Sequence, residues 1–208
     1  MFRDYTPLPL TALNPATTYQ QPAQSPPAYQ QPAQSLPARL NLESPAQECM
    51  TDLKHVCAAT IEPEATLDAA NQTMIERGVR LLLVVDRSRL VLGLITADDV
   101  LGEKPLLFTQ ERGIKRQDVL VRDIMTPQNQ LEVLKMEDVL RARVGHLVAT
   151  LKKSGRQHAV VVDVSAADKE QKVRGIFSAT QVARQLGVTI QTTEVARTFA
   201  EIESLLGH

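Results

Sequence analysis

A five-residue phrase occurs twice in this chain: Gly93-Leu94-Ile95-Thr96-Ala97 returns as Gly175-Ile176-Phe177-Ser178-Ala179. The match extends upstream. Gly78 stands eight residues before Asp86, and Gly155 stands eight residues before Asp163, with an apolar run ahead of each aspartate. A third pairing, Met50-Thr51-Asp52-Leu53 against Val121-Arg122-Asp123-Ile124, precedes both. Three blocks recurring in one order mean an internal duplication. A duplicated small α/β unit places two equivalent clefts about a pseudo-two-fold axis, so the first expectation is a binding module.

Each unit reads as β-α-β-β-α. In the first, Thr60-Ile61 is a short strand ended by Pro63, and Thr66 suits an N-cap ahead of Leu67, Ala70, Met74 and Ile75. Gly78 suits the helix stop. Leu81 to Val85 is a continuous apolar run, the mark of a strand buried on both faces. A tight turn at Asp86-Arg87-Ser88-Arg89 leads to a strand over Leu90 to Ile95 and a short helix from Thr96 to near Gly102. In the second unit the strands fall at Leu131–Leu134, Ala159–Val162 and Val173–Phe177, with one helix running to about Lys153. Residues 165–171 widen its hairpin, and Ser178 caps a last helix that stops at Gly187.

Composition changes sharply near residue 48: nine of the twelve prolines and all three tyrosines precede it, and all nine glycines follow it. Residues 19–38 are a tandem ten-mer, Tyr19-Gln20-Gln21-Pro22-Ala23-Gln24-Ser25-Pro26-Pro27-Ala28 and then its near copy from Tyr29. Such a segment buries too little apolar surface to offset its ordering entropy. The expected organisation is a disordered Pro/Gln-rich tail over 1–48, unit one over 49–102, a linker over 103–120, unit two over 121–187 and an amphipathic helix over 188–208. Val195, Phe199, Ile202 and Leu206 form the apolar stripe of that helix.

The net charge of -1 provides no field to draw the chain to nucleic acid or an anionic membrane. No apolar run reaches the ~18 residues of a membrane span. The start, Met1-Phe2-Arg3-Asp4-Tyr5, lacks the apolar core of a signal peptide. Cys49 and Cys57 fit reduced thiols but do not exclude a disulfide. The chain reads as cytoplasmic. His55, His146 and His158 have no partners at metal-ligand spacing, and no nucleophile, metal set or acid–base pair stands out. The expectation is that the chain is not an enzyme.

The markers together resemble a tandem pair of CBS domains, the Bateman module, in a stand-alone bacterial-type protein. They are Thr60-Ile61 with Pro63, Ala65-Thr66-Leu67, Val84-Val85-Asp86, Gly93-Leu94-Ile95-Thr96 followed by Asp99, and Val121-Arg122-Asp123-Ile124-Met125-Thr126. The resemblance spans about residues 48–187. It departs in the second unit, which lacks the Thr-Ile-x-Pro opening and has Gln181 in place of the acidic residue. It implies an α+β fold with two units in pseudo-two-fold arrangement. It also implies a regulatory module that binds AMP, ADP, ATP or S-adenosylmethionine between the units, forms a homodimer and signals to an unidentified protein target.

By the same resemblance, Asp99 would hold the ribose hydroxyls and Thr96 a phosphate, and Arg80 would reach a phosphate. Backbone around Thr60-Ile61 and Arg80-Leu81 would edge the adenine, with Ser178 as the weaker counterpart in the second unit. The chemistry is sensible, since one carboxylate offers two oxygens to two adjacent hydroxyls. A competing reading stays open: Thr96-x-x-Asp99 and Ser178-x-x-Gln181 are also capping boxes, present in a protein that binds nothing. On that reading the sites are vestigial, and the chain is a ligand-free dimerisation and docking scaffold.

Overall fold

Residues 5–22, 39–165 and 170–188 are described in the computed structural model, and the order of their elements repeats. The chain begins with two short strands, β1 (Thr11–Ala12) and β2 (Thr18–Tyr19). A 3-10 turn over Ala46–Cys49 and β3 (Thr51–Asp52) lead into the first unit. That unit comprises β4 (Thr60–Ile61), α1 (Leu67–Arg77), β5 (Leu81–Val85), β6 (Val91–Thr96) and α2 (Ala97–Leu101). Next come α3 (Lys104–Arg112), α4 (Val121–Ile124) and β7 (Thr126–Pro127). The second unit comprises β8 (Glu132–Lys135), α5 (Met136–Arg141), α6 (Val144–Ser154), β9 (His158–Val164), β10 (Gln171–Ser178) and α7 (Ala179–Gln185). This is the expected α+β architecture of two β-α-β-β-α units.

Local chemistry accounts for the elements. The Thr66 hydroxyl accepts the Ala69 N–H and caps α1. Gly78, at φ 62°, ends the helix in the left-handed conformation that glycine adopts without strain. The second unit departs from the single helix expected: Ala142 and Arg143 are extended and divide α5 from α6. The break serves packing, because Pro45 bridges to Arg143 just as Leu120 bridges to Thr66.

The sheets interlock. β4 runs parallel to β5, which pairs antiparallel with β6. β6 then pairs with β7, the strand that leads into the second unit. Reciprocally, β3 leads into the first unit but pairs with β10 of the second. Each unit's sheet is thus completed by the segment that opens the other. The pairing corrects the third sequence block. Thr51 pairs with Ile176 as Thr126 pairs with Leu94, so Met50-Thr51 is the counterpart of Met125-Thr126. The glycine that begins the repeated phrase is needed for this crossing. A Cβ on Gly93 would lie 2.4 Å from the Thr126 carbonyl, and one on Gly175 would lie 2.4 Å from Met50 Sδ.

Burial follows the same plan. Leu82 and Val84 pack beneath the first unit's helices with Leu67, Ala70 and Met74. Their neighbours Leu81, Leu83 and Val85 face the other way and meet Val133, Val160, Val162 and Val173 of the second unit. Both faces of β5 are covered, which explains its unbroken apolar run.

Part of the tail expected over 1–48, residues 23–38, lies outside the described residues. The ten-mer's second copy, from Tyr29, lies outside the described residues, as does the stripe of residues 195–206. Residues 5–22, by contrast, are packed on the fold. β1 adds antiparallel to β8, and β2 adds parallel to β10. Leu13 sits in the cluster between the units. The Thr17 carbonyl accepts the Val91 N–H of the first unit at 2.9 Å, while the Gln20 N–H donates to Val173 of the second at 2.8 Å. The arm therefore braces both units. Residues 39–48 are also docked: Leu40 and Ala46 are buried.

Leu13→Ala is expected to lower unfolding free energy by about 2–4 kcal/mol, the usual cost of a large-to-small change in a packed core. Urea denaturation of the two proteins checks this, and an unchanged midpoint contradicts the arm's role.

Candidate functional site

Two clefts lie where the units meet. The first has a volume of ≈ 430 Å³. One wall is the end of β6 and the start of α2, with Leu94, Thr96, Asp98 and Asp99. The facing wall is the start of β9, with Gly155, Arg156, Gln157 and His158. The second cleft, of ≈ 360 Å³, exchanges the units' roles: Ile176, Ser178, Thr180 and Gln181 face Gly78, Val79, Arg80 and Leu81. Each cleft therefore joins the helix start of one unit to the strand start of the other.

This geometry separates the residues singled out by sequence. Thr96 and Asp99 line the first cleft; Arg80, Leu81 and Ser178 line the second. Thr60 and Ile61 line neither, since β4 pairs with Leu83 and Val84 away from the cleft mouths. Arg80 is turned to Asp98, with Nη2 2.8 Å from Oδ1. Their ion pair spans from the wall of one cleft to the wall of the other, and His158 lines both.

Asp99 is nearly buried, at 8% exposure. Its Oδ2 accepts the Thr96 N–H at 2.9 Å and the Thr96 hydroxyl at 2.7 Å. The Asp99 N–H donates back to Thr96 Oγ1 at 3.2 Å, which closes the capping box. Its Oδ1 takes the Lys104 ammonium. Both carboxylate oxygens are thus engaged, one within α2 and one from the first residue of α3. The second unit differs. Ser178 occupies the N-cap position of α7 but makes no side-chain capping bond, so the capping box expected there does not form. Gln181 instead accepts the Thr51 hydroxyl at 3.3 Å.

Lys104, Arg156 and His158 are among the residues of the first cleft that sequence reading missed. Lys104 lies in the stretch taken as linker, with no motif to mark it. Arg156 shows no local pattern either. His158 carried a signal: the duplication aligns it with Leu81, a named position, because each stands three residues after the repeated glycine. Burial pushes the His158 imidazole down to about 4, and the nearby Arg80 cation acts in the same direction. Asp98 and Asp99 act in the opposite direction. His158 is therefore neutral near pH 7.

The cysteines are free, Cys49 buried and Cys57 exposed. Burial pushes the Cys49 thiol up to about 12, which leaves it unreactive. Among the described residues, no group of three or more His, Cys, Asp or Glu is placed to hold a metal, and no helix is long and apolar enough to cross a membrane.

Residues 48–105 match the family model described as the CBS domain. No curated protein matches the chain. Among solved structures, an uncharacterized conserved protein from Pyrococcus horikoshii is similar at a TM-score of 0.52 and 18% identity, over 74% of this chain and 100% of that one. The chain also resembles Arabidopsis thaliana CBSX2, in complex with AMP, at a TM-score of 0.49 and 24% identity, over 68% of this chain and 94% of that one. A third is the CBS domain pair of MJ0100, in complex with 5′-methylthioadenosine and S-adenosylmethionine. It has a TM-score of 0.48 and 19% identity, over 69% of this chain and 96% of that one.

Protonating His158 costs more in the folded than in the unfolded protein, where its pKa is about 6.5. The unfolded state thus binds the extra proton between pH ~6.5 and ~4, and stability falls as pH drops through that window. The loss is at most about 3 kcal/mol. His158→Leu, which copies Leu81, should flatten this part of the profile. Urea unfolding of both proteins at pH 4.5 and 7 measures the difference, and equal pH dependence contradicts it.

Proposed function

We propose, from the premise that this chain is a CBS-domain protein, that it is a non-enzymatic regulatory module binding an adenine-containing ligand in the Asp99 cleft. One observation carries the reading: three kinds of group converge there. Leu94, Leu131 and Val160 provide apolar wall for a flat base. Asp98 and Asp99 provide acceptors for a ribose diol, and Arg156, paired with Glu132 at 3.2 Å, provides a cation for phosphate. The volume suits a small molecule. AMP, ADP, ATP and S-adenosylmethionine are the ligands that the family resemblance brings forward. The second cleft lacks a carboxylate at the Gln181 position and is the weaker candidate, with Ser178, Arg80 and Leu81 on its walls.

A ligand shifts such a module only through different affinity for two of its conformations. The output then goes to a separate protein target, with the chain acting as a cytoplasmic homodimer. Ile75, Leu106, Leu107 and Leu140 are exposed apolar residues on α1, α3 and α5 and leave surface for such contacts. The scaffold reading also has an observation in its favour: every Asp99 oxygen already has a partner within the protein.

Calorimetric titration of the full chain with each of the four ligands, beside Asp99→Asn, distinguishes the two. Asparagine keeps an oxygen for the Thr96 N–H but loses the charge. Binding by the wild type and at least about tenfold weaker binding by the variant support the sensor, as expected for loss of a charged hydrogen-bonding group. Absence of heat with all four ligands supports the scaffold.

A further inference from the structure

We propose that Lys104 is a latch that couples occupancy of the Asp99 cleft to the position of helix α3; the proposal rests on the nucleotide reading above. A ribose diol needs carboxylate oxygens. Asp99 Oδ2 is committed to Thr96 through two bonds that also hold α2 together. Oδ1 is held by Lys104 alone among the described residues. Two hydroxyls need two acceptor positions; Oδ2 is filled and Lys104 takes one of the two on Oδ1, so a diol bound through both hydroxyls displaces Lys104.

That displacement acts on α3 because Lys104 is the helix's first residue. A cation at a helix N-terminus faces the positive end of the helix dipole and is unfavourable there unless compensated. Glu103, the N-cap residue, makes no side-chain capping bond, so the Asp99 carboxylate is the compensation. The rest of α3 is lightly held. Pro105 is its one fully buried residue, Phe108 is half-buried, and Leu106 and Leu107 are exposed at 59% and 53%. Few buried contacts and an uncapped end place a helix at the low end of local stability. At the other side, α2 is fixed by its own capping box and does not depend on Lys104. Losing the ion pair therefore loosens α3 and leaves α2 in place. Leu106 and Leu107 move with it, which makes α3 the element that reports the cleft's state.

Two measurements test the latch. The first needs no ligand: hydrogen exchange of the α3 amides of residues 108–112 in the full chain and in Asp99→Asn, which leaves the Lys104 ammonium uncompensated. The latch requires faster exchange in the variant, with α2 unchanged; equal exchange overturns it. The second is titration of the full chain and of Lys104→Met with adenosine, which has the diol but no phosphate, and with AMP. Lys104→Met should bind adenosine about two- to fivefold tighter, the worth of a half-exposed ion pair that no longer competes. Unchanged or weaker adenosine binding overturns the latch, and loss of AMP binding alone would make Lys104 a phosphate ligand instead. Should α3 loosen in Asp99→Asn while neither the full chain nor Lys104→Met binds either compound, the nucleotide reading fails, and the coupling fails with it.

Discussion

The structure depends on one apolar contact, the face-to-face packing of the two sheets. Leu81, Leu83 and Val85 meet Val133, Val160, Val162 and Val173 across the units. At ~25 cal/mol per Å² of apolar surface, side chains of this size contribute ~1.5–3 kcal/mol each when fully buried. Neither sheet would be viable with this face in water. Once the faces meet, the duplicated sequence brings each helix start opposite the other unit's strand start. The clefts are a consequence of that register, and the exchange of β3 and β7 between the sheets fixes it.

The duplication made two equivalent frames, and the side chains then made them different. In the first frame, Asp99 closes a capping box and draws Lys104 from outside the unit. In the second, Gln181 cannot supply an anion, the Ser178 cap is unformed, and Arg80 and Arg184 lie on the wall. The partition between them is also asymmetric: Leu81 on one side corresponds to His158 on the other. A neutral imidazole beside the Arg80–Asp98 pair adds no charge to either cleft near neutral pH. Site chemistry thus resides in few positions on a frame that apolar packing determines.

Much of this was legible in the sequence. Local rules sufficed for Thr66, Gly78, the β5 run and the capping box at Thr96, because each depends on residues within a few positions. What was not legible depends on distant partners. Residues 5–22 have the composition of a spacer, yet Leu13 and Thr17 find a seam between two units that no local pattern announces. Lys104 reads as part of a charged linker until the fold brings it to Asp99. Arg80 and Leu81 line a different cleft from Asp99 because each cleft draws its two walls from different units, so neighbours in one repeat face different clefts. His158 was within reach, had the alignment of the repeats been followed residue by residue.

The most direct test of the central claim, that the Asp99 carboxylate is the ribose anchor of an inter-unit cleft, is a crystal structure of the full chain grown with AMP. The ribose hydroxyls should lie within about 3 Å of Asp99, between the start of α2 and the start of β9, with Lys104 withdrawn from Oδ1. AMP bound elsewhere, or lying beside an intact Asp99–Lys104 pair, would contradict it.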